Sequence, residues 1–122
     1  MPAIAWGGKL PGPPGPYCHE VRLAISPDSL TYRSLGPAIL SRASVPDAAA
    51  VPGGVRLYYV NGEPGEHGIW RADPNGTGGW QPSGRVLIDG RYLGDAVDPD
   101  VVLLPDGRYR LEATATDAPS QA

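Results

Sequence analysis

Hydrophobic residues fall in short runs rich in β-branched residues, aromatics and leucine, and clusters of Gly, Pro, Asp and Ser separate the runs. Such runs read as strands bounded by turns. They predict strands over 20–26, 38–41, 48–51, 55–61, 68–72, 85–88, 101–104 and 108–114. No stretch keeps a helical period between breakers for three turns, so the expected fold class is all-β.

The run pattern repeats. HEVRLAISPDSLTYRSLGPAIL from His19 lies over HGIWRADPNGTGGWQPSGRVLI from His67, with His19 and His67, Tyr32 and Trp80, and Gly36 and Gly84 each 48 positions apart. VPDAAAVPGGVRLYYV from Val45 corresponds to DPDVVLLPDGRYRLEAT from Asp98, with extra residues at 90–96 between the copies. A unit of about fifty residues is of propeller-blade size. Pro105-Asp106-Gly107 and Pro52-Gly53-Gly54 carry hairpin-turn chemistry, and Ser26-Pro27-Asp28-Ser29 and Asp73-Pro74-Asn75-Gly76 suit a second hairpin in each unit. Tyr32 and Trp80 follow that second turn and are expected to pack between neighbouring sheets.

Composition divides the chain. Residues 1–18 hold Pro11-Gly12-Pro13-Pro14-Gly15-Pro16, which removes ladder donors, and are expected to be an arm. Residues 19–116 carry the repeats, and 117–122 are expected to fray. With 122 residues, 41% of them hydrophobic, one modest core is feasible despite 17 Gly and 15 Pro. A net charge of −3 provides no basic stripe, which argues against nucleic acid and against an anionic membrane surface. The start lacks a signal-peptide pattern and no run approaches membrane-spanning length, so a soluble and, by default, cytoplasmic protein is expected. Cys18 is the single cysteine, which excludes an intrachain disulfide and Cys-type metal spacing.

In these residues the chain resembles the five-bladed β-propeller glycosidases of the arabinanase and levanase type, and related sialidase-like proteins. DPDVVLLPDGRYRL is the closest stretch, VPDAAAVPGGVRLYYV a looser one, and AISPDSLTY resembles their Ser-x-Asp turn with Ser29 in place of glycine. The resemblance spans 20–114 and implies about two blades, run as strands c-d, a-b-c-d, a-b from channel to rim. Such a set is incomplete unless the chain is a homo-oligomer or part of a longer propeller. Whole copies contributing two blades each can make a six-bladed trimer but not a five-bladed ring.

Glycosidic hydrolysis needs an acid and a base or nucleophile. The resemblance places the family base at Asp98, with Asp47 and Asp100 as neighbours whose register stays open: an ungapped alignment pairs Asp47 with Asp100, a gapped one with Asp98. Each also fits a backbone-capping role. None of the four glutamates, Glu20, Glu63, Glu66 and Glu112, sits in an acid motif. Trp70 and Tyr59 lie on strands, where core packing competes with stacking on a sugar ring. His19 and His67 are repeat equivalents and fall short of a metal ligand set. No cofactor is implied. Three classes of function fit: a carbohydrate-associated propeller fragment inactive as a lone chain, a glycoside hydrolase completed by oligomerisation, and a structural or protein-binding β module.

Overall fold

The computed structural model describes residues 3–9 and 18–115. The fold is all-β, with ten strands in three antiparallel sheets and no α-helix among the described residues. The central sheet is a meander of β5 (Ala43–Val51), β6 (Gly54–Asn61), β7 (Gly68–Pro74) and β8 (Trp80–Arg85). The N-terminal sheet places β2 (His19–Ile25) between β1 (Ala3–Lys9) and an interrupted outer strand, β3 (Arg33–Ser34) with β4 (Leu40–Ser41). β9 (Val97–Leu103) and β10 (Tyr109–Thr114) form the C-terminal hairpin.

The central sheet is covered on both faces. One face, with Leu57, Tyr59 and Ala72 backed by Trp70 and Trp80, packs against Val21 and Leu40 of the N-terminal sheet. The other, with Tyr58, Ile69 and Ala49, packs against Val101, Ala96 and Leu111. Strand alternation accounts for the division, because successive side chains on β6 and β7 leave opposite faces. Trp80 therefore packs between sheets as expected, and its indole N–H donates to the Val55 carbonyl at 2.8 Å. Its counterpart Tyr32 is 36% exposed.

Three strands start four or five residues before the place the sequence reading gives them, and each shift involves proline. β5 starts at Ala43 because Pro46, lacking a donor, is absorbed in a bulge between Ser44 and Asp47. The hairpin strand β9 starts at Val97 for the same reason at Pro99. In the central sheet β8 spans Trp80–Arg85, not 85–88, since Pro82 sits on an edge strand at a register shift. Within the expected arm, Ala3–Lys9 form β1, paired along β2. The proline-rich stretch at 10–17 and the tail at 117–122 lie outside the described residues.

The turns repeat their chemistry. Asp28 Oδ1 accepts from the amides of Leu30 and Thr31 and from the Ser26 hydroxyl at 2.9–3.0 Å. Asn75 Oδ1 likewise accepts from the Thr77 amide and hydroxyl and from the Gly79 amide. These bonds hold the exposed Asp28 carboxyl below its ordinary range, the Thr31 amide contributing most. Ser29, at φ 64°, occupies the left-handed conformation that Gly76 adopts at 83°. Ser29→Gly is expected to stabilise the fold by about 1 kcal/mol through relief of that strain. A raised urea midpoint checks it, and a lowered one would contradict it.

Candidate functional site

The acids sit at a structural device that occurs twice. In β5, Ser44 pairs with Val60 and Asp47 with Tyr58, so Val45 and Pro46 together oppose Tyr59. In the C-terminal hairpin, Val97 pairs with Thr114 and Asp100 with Glu112, so Asp98 and Pro99 together oppose Ala113. Both bulges open on a left-handed residue that is not glycine, Val45 at 49° and Asp98 at 56°. By their places in the two bulges, Asp47 corresponds to Asp100, as in the ungapped alignment, and Val45 to Asp98.

The bulge also decides where Asp47 points. An extra residue reverses the alternation of a strand. Ala43, before it, faces the N-terminal sheet, and Ala49, after it, faces the hairpin. Asp47 shares the phase of Ala49, and its Oδ2 accepts from the Val101 amide of β9 at 2.7 Å. This carboxylate ties one sheet to the next. Asp98 and Asp100 are exposed, and Glu112, also exposed, stands directly across from Asp100. No sequence motif marks Glu112 as an acid; only the hairpin register brings it beside Asp100.

Of the two aromatic candidates, Tyr59 presents no free face and Trp70 is partly exposed. Tyr59 is 2% exposed within the first core cluster, so stacking against a sugar is blocked there. Burial pushes its phenol up to about 12. Trp70 is half-buried against the same cluster and donates its indole N–H to the Glu66 carbonyl at 2.8 Å. Among the described residues the exposed aromatics are Tyr109, Tyr92 and Tyr32. Arg56 lies over the Tyr109 ring at 5.9 Å and Arg85 over the Tyr92 ring at 4.4 Å.

A groove of about 430 Å³ runs beside the hairpin, bounded by Tyr58, Arg71, Arg85, Val86, Tyr109 and Leu111. Asp73 bonds to Arg56 at 2.7 Å and lies 3.3 Å from Arg71. Burial alone would raise the Asp73 carboxyl, but Arg56, Ser83 and Arg71 outweigh it and hold it below the ordinary range. Arg56 is thus engaged across strands, and its repeat counterpart Arg110 lies 3.7 Å from Glu112. His19 Nδ1 is 2.8 Å from the Ser44 hydroxyl, and Cys18 is buried. Among the described residues no group of three His, Cys, Asp or Glu side chains is placed to hold a metal ion, and no helix is long and apolar enough to cross a membrane.

The Tyr59 environment makes pH a probe of the core. The phenol ionises near 10 when unfolded. The neutral form is therefore favoured by folding, and the stability it brings is complete below pH 10 and lost as pH rises towards 12. Tyr59 is expected to give tyrosinate absorbance only well above pH 10. Ionisation of Tyr59 near pH 10 in the folded chain, followed by difference absorbance against Tyr59→Phe, would contradict this placement.

No family model matches the chain, and neither a curated protein nor a solved structure matches it.

Proposed function

We propose that the chain is a segment of a glycosidase-like β-propeller, carbohydrate-associated, without turnover as a lone chain, and built to join other blades. The observation that carries this reading is the recurrence of one strand-bulge-strand device in adjacent stacked sheets. With β5 to β8 as strands a to d of one blade, β2 and its interrupted partner match c and d, and the C-terminal hairpin matches a and b. Val21 and Ile69, and Ala24 and Ala72, are repeat equivalents and are buried in both copies. The carbohydrate association rests on the resemblance in DPDVVLLPDGRYRL. The lack of turnover is supported by Asp47 being engaged with the Val101 amide, by the need of glycoside hydrolysis for two acids, and by the resemblance, which implies a site drawing those acids from several blades.

A second reading, a hydrolase completed by oligomerisation, is favoured by one observation: Asp100 and Glu112 are opposed, exposed carboxyl residues with Asp98 at the adjoining bulge. Glycan arrays and chromogenic glycosides separate the two. Binding without turnover agrees with the first, turnover by an assembled species with the second, and silence in both assays with a structural module. Asp98→Asn is expected to abolish any turnover while leaving assembly intact; unchanged rates would remove Asp98 from the chemistry.

A further inference from the structure

The three sheets are unequally complete. The central sheet has four strand positions filled, the hairpin has only a and b, and among the described residues β10 pairs with β9 alone. The N-terminal sheet lacks an a strand among the described residues, and its b position is held by β1. β1 pairs Ile4 with Ala24 and Trp6 with Arg22, while β6 pairs Leu57 with Ala72 and Tyr59 with Trp70. Since β2 is the counterpart of β7, β1 stands beside it in the register of a b strand. It also lies against β5 as β6 lies against β9.

β10 is the b strand that the repeat itself assigns to such a place. The bulge correspondence sets Leu111 at the position of Leu57 and Arg110 at that of Arg56. We propose that β10 of one copy of this chain replaces β1 beside β2 of a second copy, so that the two chains share one four-stranded sheet. The inference rests on the blade reading above. In β6 register, Leu111 of one copy pairs with Ala24 of the other and Ala113 with Arg22. The displaced strand is a weak competitor by sequence, because Gly7 and Gly8 add no side chains to a sheet and cost more backbone entropy on ordering than other residues.

Three further features have their counterparts already engaged inside the chain. Asp47 bonds to the Val101 amide, and the repeat makes Asp100 and Ala48 the equivalent pair. Both residues are exposed in the single chain. Ala49 packs on Val101, and its counterpart Val102 is 38% exposed, facing the side where Ala48 of the second copy would lie. Trp80 covers the seam between the N-terminal and central sheets, whereas its counterpart Tyr32 is exposed and the matching seam beside the hairpin is the groove at Arg71, Val86 and Tyr109. Tyr32 of the second copy fills that groove in the shared sheet. The contact is head-to-tail and therefore closes into a ring or propagates. A ring of about three copies carries about six blades, within the range propellers span.

The test uses the full chain carrying Ala5→Cys and Leu23→Cys, with Cys18→Ser. These two positions are paired across β1 and β2, at a Cα separation of roughly 4.5–5.5 Å that a disulfide spans. Light scattering of the reduced chain is expected to give an integer multiple of 12.8 kDa, and the oxidised chain, with β1 locked in place, a single 12.8 kDa species. Asp100→Ala in the unlocked chain is expected to weaken association roughly tenfold, the loss of one charge-assisted bond. A monomer in both redox states, or the same oligomer in both, overturns the exchange while leaving the sheet order standing. Failure of the disulfide to form when the chain is oxidised at a dilution where it is monomeric overturns the exchange alone, because β1 would then not stand beside β2, and leaves the blade reading, which does not use β1, standing.

Discussion

Leu57→Ala is expected to lower the unfolding free energy by about 2–5 kcal/mol, the range for emptying a fully buried leucine site. Leu57 is fully inaccessible, on an inner strand of the sheet that is covered on both faces, and it touches residues contributed by two sheets. Small neighbours surround it: Ala43 and Ala72 cannot swing into the space. The lost contacts are therefore not replaced, and a chain with a total stability of about 5–15 kcal/mol would lose much of it. Urea denaturation followed by tryptophan fluorescence checks this, since Trp70 and Trp80 pack on the same cluster. A change below about 1 kcal/mol would mean that the N-terminal sheet does not cover this face.

Asp47→Ala is expected to cost about 1–3 kcal/mol, because it leaves the Val101 amide without its partner between two sheets. The effect should be local. Amide exchange across β9 is expected to accelerate roughly ten- to a hundredfold, with the N-terminal sheet little changed. Asp47→Asn keeps an acceptor oxygen and should recover most of the protection. Equal losses from both variants would show that charge, not the bond to Val101, matters at this position.

Strand existence was legible because turn chemistry brackets the apolar runs, as at Pro52-Gly53-Gly54 and Pro105-Asp106-Gly107. The spaced landmarks His19 and His67 mark comparable places, His19 opening β2 and His67 standing just before β7. The registers of Asp47, Asp98 and Asp100 were not legible, because a bulge adds a residue without a marker: its left-handed position is filled by valine in one copy and aspartate in the other. Pro46, Pro82 and Pro99 hid strand portions, since an edge or a bulge tolerates a missing donor that a regular ladder does not. Ala3–Lys9 adjoins the proline-rich stretch, and its pairing with β2 depends on distant residues. Tyr59 and Trp70 could not be assigned to a ligand or to the core because neither face of the central sheet is left to solvent, so alternation along β6 and β7 marks no outside.

The claim beneath all of this is that adjacent sheets are stacked copies, each packed on the next. Methyl and backbone NOE spectroscopy of the intact chain addresses it directly. Contacts from Val21 to Leu57 and from Ala49 to Val101 are expected, with none between the repeat equivalents Val21 and Ile69, which face successive seams. A strong Val21 to Ile69 contact, with the other two missing, would mean that the copies close face to face as a sandwich and would contradict the account.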